Sequence, residues 1–304
     1  VEARNFHGAV TPSFGTESTS ETVSLDLTGL AYPTGGAQGS LSGINAFGLV
    51  GPGVMESSTV SWNEVGSMSF DPTLASDNYM GIAGNVIATI GSGTVGRFYP
   101  YQYRLSSGTT SDSCGFFSYM SEPAIQLDYQ LTAERYGGGA VSNYDNMDLA
   151  YVDNAGIFYV AENGNTGTNL GYVGANRVTA MDDALWNDGV MTVDDSSALF
   201  ARQSSAAPDG PFDQLQLGLM VADPDSRALF DLDMNPDSSG DCTADSSCSA
   251  KMLGSELMLR YGRLYLQDAF GPETAPLPVT FISQYWDGTE WLMNTDDDCT
   301  AIAD

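Results

Sequence analysis

The sequence predicts an all-β fold of tandem immunoglobulin-like β-sandwich domains. Three observations predict it. Apolar residues recur at every second position in several short runs, the period of a strand with one buried face. Clusters of Gly, Ser, Asn and Asp separate these runs and supply turns, and the 304 residues include 34 Gly and 13 Pro. Helical periodicity is almost absent, while similar short blocks recur in the same order along the chain.

The elements follow in order. TVSLDLTGL places Val23, Leu25 and Leu27 on one face of a strand, and YPTGGAQGS after it reads as a turn. FYPYQY, from Phe98 to Tyr103, holds four aromatic rings and reads as packing at a domain junction. AIQLDYQLTA alternates cleanly, with Ile125, Leu127, Tyr129, Leu131 and Ala133 sharing a face. NYDNMD (143–148), DNAG (153–156) and ENGNTGTN (162–169) read as turns. QLQLGLMV repeats the alternation with Leu215, Leu217, Leu219 and Val221. PLPVTFISQYWDGTEWLM reads as a hairpin whose turn is Asp287-Gly288.

The repeated blocks set the domains. ARNFHGAVTPSF (3–14) is similar to AERYGGGAVSNY (133–144), PGVM (52–55) to DGVM (188–191), Asp71-Pro72 to Asp223-Pro224, and VGRFY (95–99) to YGRLY (261–265). The expected division is a sandwich over 1–95, a second over 96–262 with an acidic insertion at 231–248, and the start of a third β domain or closing strands over 263–304. The first copy lacks a counterpart of the strand at 124–131. A strand donated by a neighbouring domain or chain is therefore expected to complete it. Arg97 and Arg263, each between a Gly and an apolar residue, read as buried partners of carboxylates between domains.

Charge narrows the function. There are 28 Asp and 11 Glu against nine Arg and one lysine, Lys251, for a formal net charge of −29. Phosphate contacts need a basic face, so a nucleic-acid partner is excluded, and an anionic membrane is disfavoured. No apolar run is long enough to span a bilayer. No GxSxG elbow, P-loop or GxGxxG before a helix is present, and the only histidine, His7, has no evident catalytic partner. The chain does not read as an enzyme.

FDLDMNPDSSGDC is the most specific segment. Asp231, Asp233, Asn235, Asp237 and Asp241 place oxygen donors at nearly alternate positions. An EF-hand loop uses that spacing for Ca²⁺, but Pro236 stands where its glycine belongs and Cys242 where its bidentate Glu belongs. The segment looks more like the extracellular calcium loops of thrombospondin-type repeats, in which acids precede a disulfide cysteine. Hard oxygen donors favour Ca²⁺ over zinc or copper. Cys242 and Cys248, close together in an irregular loop, suit a disulfide in an oxidising compartment. Cys114 and Cys299 are left to pair with each other or with partners beyond this chain. NTDDDC (294–299) reads as a solvated end.

EVGSMSF (64–70), VGRFYPYQYRL (95–105), FFSYMSEPAIQLDYQLTA (116–133), RYGRLYLQDAFGPETAPLPV (260–279) and QYWDGTEWLMNTDDDCT (284–300) together carry a family resemblance. The chain resembles the large C-terminal region of the MshQ proteins of the mannose-sensitive haemagglutinin (MSHA) type IV pilus system of marine gammaproteobacteria. The resemblance implies an exported cell-surface protein tied to pilus biogenesis or adhesion. In longer relatives a lectin-like domain lies alongside. Expected partners are other pilus or surface proteins, with glycans as a further class. A secreted carbohydrate-binding module or glycan-active enzyme, and a structural filament subunit joined by strand exchange, are the alternatives.

Overall fold

The computed structural model describes residues 1–79, 81–83, 93–145, 155–171, 176–180, 185–205, 207–243 and 247–301, without the side chains of Ile82 and Ala83. The expected turns at 146–148 and 153–154 lie outside the described residues. Strands account for 47% of the described residues, and no α-helix forms among them. The fold is all-β. Two compact units emerge, both discontinuous in sequence: Val1–Tyr101 with Ala133–Asn154 and Trp186–Gly189, and Gln102–Thr132 with Ala155–Leu185 and Val190–Asp304. The linear division drawn from the repeats does not have this interleaving, and residues 263–304 group with the second unit.

The first unit is built on a three-stranded antiparallel sheet, β1 (Val23–Tyr32), β2 (Gly66–Leu74) and β3 (Val95–Phe98), in that order across the sheet. Val23 and Leu25 are buried as their alternation requires. Val23 joins Phe14, Met55 and Leu74 in a small apolar core. Three two-stranded ribbons belong to the same unit: Leu41–Ser42 with Ser61–Trp62, Gly48–Gly51 with Val54–Glu56, and Asn78–Tyr79 with Ile82–Ala83. Residues 142–144 join the unit through polar contacts. The buried Glu64 carboxylate accepts from Ser142 N (3.0 Å), Ser142 Oγ (2.6 Å) and Asn143 N (3.1 Å). Asn143 Nδ2 donates to the Ala37 and Val65 carbonyls, so a fully buried amide has partners on both of its ends.

The second unit packs two sheets face to face. One runs β4 (Gln102–Ser111), β6 (Ile125–Glu134), β9 (Val190–Phe200), β8 (Val178–Thr179). The other runs β5 (Ser118–Tyr119), β11 (Lys251–Arg260), β10 (Phe212–Ala222), β7 (Gly156–Asn163). All pairs in the second sheet are antiparallel except β5–β11. The five residues expected on one face of β6 are all buried, as are Leu215, Leu217 and Leu219 of β10. Between the sheets the Tyr129 and Tyr159 hydroxyls lie 2.9 Å apart, and the rings of Phe200 and Phe212 meet at 5.5 Å. A small third sheet, β12 (Gly262–Leu266), β13 (Phe281–Trp286) and β14 (Trp291–Met293), belongs to the same unit. Its β13–β14 hairpin turns where the sequence indicated: Trp286 pairs with Trp291, and Asp287 Oδ1 accepts from Thr289 N and Glu290 N at 2.7 Å.

The repeated blocks receive mixed settings. Gly53 (φ 70°) and Gly189 (φ 75°) each make the turn before a strand, as their shared GVM suggests. Asp71-Pro72 lies inside β2, whereas Asp223-Pro224 follows β10. An Asp-Pro pair fits either a strand or its exit, so it does not fix a common topology.

Candidate functional site

The acidic segment lies in the connection between β10 and β11, where an insertion was expected. It is anchored from below rather than wrapped around a centre. Met234 is buried against Val160 and Ala250. Met234 N donates to Ala250 O (3.1 Å), and Ala250 N donates back to Met234 O (3.0 Å). Cys242 and Cys248 form the expected disulfide, with Cα atoms 5.2 Å apart.

With Met234 fixed inward, the acids spread outward to separate partners. Asp233 Oδ2 meets Lys251 Nζ at 2.5 Å, and its Oδ1 accepts from Met252 N at 2.7 Å. Asp231 Oδ2 lies 3.6 Å from the same ammonium. Asp237 accepts from Asn169 Nδ2 (3.2 Å) and Asp241 from Asn165 Nδ2 (2.9 Å). Asn235 is buried beside Met234. Among the described residues, no three carboxylates of this segment come together. The chain's one lysine and two amides divide the charge instead. Sequence reasoning missed Lys251, Asn165 and Asn169. A lone lysine beginning the strand after the acidic segment was the available signal.

Cys114 and Cys299 pair with each other, Cα to Cα 5.6 Å. With Asp297 they form the only grouping of His, Cys, Asp or Glu donors dense enough for a metal among the described residues, and the disulfide occupies both sulfurs. This disulfide ties the 294–300 segment to the connection between β4 and β5; Asp296 and Asp298 stay exposed as a solvated end requires, while Asn294 is buried. Buried Arg260 donates from Nη1 to Asn294 Oδ1 (2.5 Å) and from Nη2 to Asp296 Oδ2 (3.0 Å). Its guanidinium lies between the rings of Phe117 (4.4 Å) and Tyr285 (4.5 Å). Asn294 Nδ2 donates to the Tyr119 hydroxyl (2.5 Å), which donates to Asp297 Oδ2 (2.8 Å). Burial pushes the Tyr119 phenol up to about 12; the Asn294 bond opposes this and Asp297 adds to it. Burial alone would raise Asp297, but hydrogen bonds from Thr300 and Tyr119 hold it below the usual carboxylate range.

The two arginines expected to be buried between domains are both exposed. Among the described residues Arg263 meets no carboxylate: its Nε donates to Gln284 Oε1 (2.8 Å), and its guanidinium stacks on Trp291 at 3.9 Å. An aromatic face draws a cation without needing burial. The FYPYQY rings divide between the units. Phe98 packs on Trp62 and Tyr101 on Tyr136 in the first. In the second, buried Tyr103 donates to Asp223 Oδ2 at 2.6 Å. His7 is exposed, its ring beside Phe6.

Beside this network opens a cavity of about 450 Å³, lined in part by Tyr119, Met120, Glu122, Arg202, Leu264 and Ser283. Arg202 is held in its wall by Nη2 donating to Gly262 O (2.6 Å) and by stacking on Tyr261 (4.3 Å). The lining offers a cation, hydroxyls and apolar surface.

The family model described as DUF6701, third domain, matches residues 64–249, and that described as DUF6701, fourth domain, matches residues 260–304. The chain belongs to the DUF6701 family. The third-domain match closes just past Cys248, at the end of the acidic connection. The fourth-domain match opens at Arg260, the residue stacked between Phe117 and Tyr285. No curated protein and no solved structure matches the chain.

Proposed function

We propose that this DUF6701 chain is part of an extracellular, pilus-associated surface protein, serving as an adhesin stalk or tip built from successive immunoglobulin-like β modules. The observation that carries the reading is the pairing of all four cysteines in two disulfides, in a chain matched by consecutive domains of one family. Disulfides persist in oxidising surroundings outside the cytosol. A net charge of −29 keeps a displayed surface soluble. The resemblance to the MshQ C-terminal region supplies the link to a pilus, and that link is by analogy of sequence. No helix among the described residues is long and apolar enough to cross a membrane.

Antibody labelling of intact cells tests this role. Labelling equal to that of permeabilised cells is expected, with loss of signal after external protease. Labelling that requires permeabilisation would overturn it.

A further inference from the structure

The strand β12 pairs with β13 on one side. On its other edge Arg202 Nη2 donates to the Gly262 carbonyl, and among the described residues no strand pairs with Leu264 to Leu266. Its consecutive residues Leu264, Tyr265 and Leu266 are 52%, 41% and 53% exposed. Neighbours on a strand point to opposite faces, so both faces are open as well as the edge. Across the ladder Leu266 faces Phe281, 48% exposed, and the connecting segment presents Phe270 at 91%. The preceding strand behaves differently: Leu257 and Leu259 are buried. An apolar strand edge left bare is a template for pairing, and sheets ordinarily blunt such edges with charge or proline. No charged or proline side chain interrupts Leu264 to Leu266.

The surroundings select the occupant. Asp268, Glu273, Asp287 and Glu290 lie in the connections of this sheet, with Arg263 in β12 and Arg202 at its Gly262 end, in a chain of net charge −29. A second copy would bring the same charge and be repelled. We propose that the open edge of β12 docks an extended strand of another protein, with alternating apolar side chains and Lys or Arg at its flanks. Main-chain hydrogen bonds along β12 would supply affinity, and contact with Leu264, Leu266 and Phe281 would supply register. This site stands apart from the surface role, and labelling of intact cells does not depend on it.

The test uses the whole chain and a fluorescent synthetic peptide of alternating Val and Thr with Lys at both ends. Binding with Kd of about 1–100 μM is expected. Leu264→Ser with Leu266→Ser should weaken it about tenfold or more, a change of about 1.4 kcal/mol, with an unaltered circular dichroism spectrum. Methylating the peptide's pairing amides keeps its charge and should abolish binding. Equal binding by the methylated peptide, equal binding by the variant, or no binding at millimolar peptide would each overturn the proposal. So would dimerisation through this edge in sedimentation.

Discussion

Lys251 shows how one residue decides the character of a segment. Five closely spaced oxygen donors suggested a cation, and the cation at Asp231 and Asp233 is a side chain eighteen residues beyond Asp233. The spacing of the acids was legible in sequence. Their directions were not, because Met234 turns into the core and sends its neighbours apart. The two aspartates are unequal: Asp233 is 40% exposed and also accepts from Met252 N, while Asp231 is 65% exposed. Asp233→Asn should therefore cost about 1–2 kcal/mol in urea unfolding, and Asp231→Asn less than about 0.5 kcal/mol. About 1 mM Ca²⁺ should leave the melting temperature of the parent chain unchanged. A rise in the parent that disappears in the Asp231→Asn, Asp233→Asn double variant would restore calcium to the loop.

Tyr119 gives a second test at this scale. Its folded pKa of about 12 exceeds the ordinary 10.0, so the folded state holds the phenolic proton more tightly. The associated stability is fully present below pH 10.0 and is lost as pH rises through about 12. Tyr119→Phe should be less stable than the parent at neutral pH, and the gap should narrow across that window. A constant gap would show that the phenol does not titrate as its burial implies.

At the scale of elements, period-two alternation located β1, β6 and β10, and the Asp287-Gly288 turn located the β13–β14 hairpin. Alternation works where one face meets a core, as it does along β6 from Ile125 to Ala133. It says nothing about β12, where Leu264 and Leu266 look as buriable as Leu217. Only three-dimensional placement separates them. Leu217→Ala should cost about 3 kcal/mol, because it opens a cavity between packed sheets. Leu266→Ala should change stability by less than about 0.5 kcal/mol. Comparable losses from the two would mean that β12 is covered in solution. The Gly-Arg block at 262 misled because sequence could not separate burial of arginine from stacking on a ring. Arg260, one turn of sequence away from Arg263, is the buried one.

At the scale of the whole molecule, fold class was legible from turns and alternation, and the interleaved units were not. Ala133–Asn154 joins the first unit through Glu64 and Asn143, contacts between residues far apart in sequence. The cysteine pairing was half legible, since only the short Cys242–Cys248 loop is local. The long pairing dominates energetically. Closing 185 residues restricts the unfolded chain by about 5 kcal/mol in the chain-entropy account, against about 2 kcal/mol for a separation of 6. Stability of this acidic chain thus depends on a compartment that keeps Cys114–Cys299 oxidised. Mass spectrometry of protein taken from its native cells, with thiols alkylated before lysis, measures this directly. The account predicts Cys114 linked to Cys299 and Cys242 linked to Cys248, with no alkylated cysteine; four alkylated cysteines would contradict it.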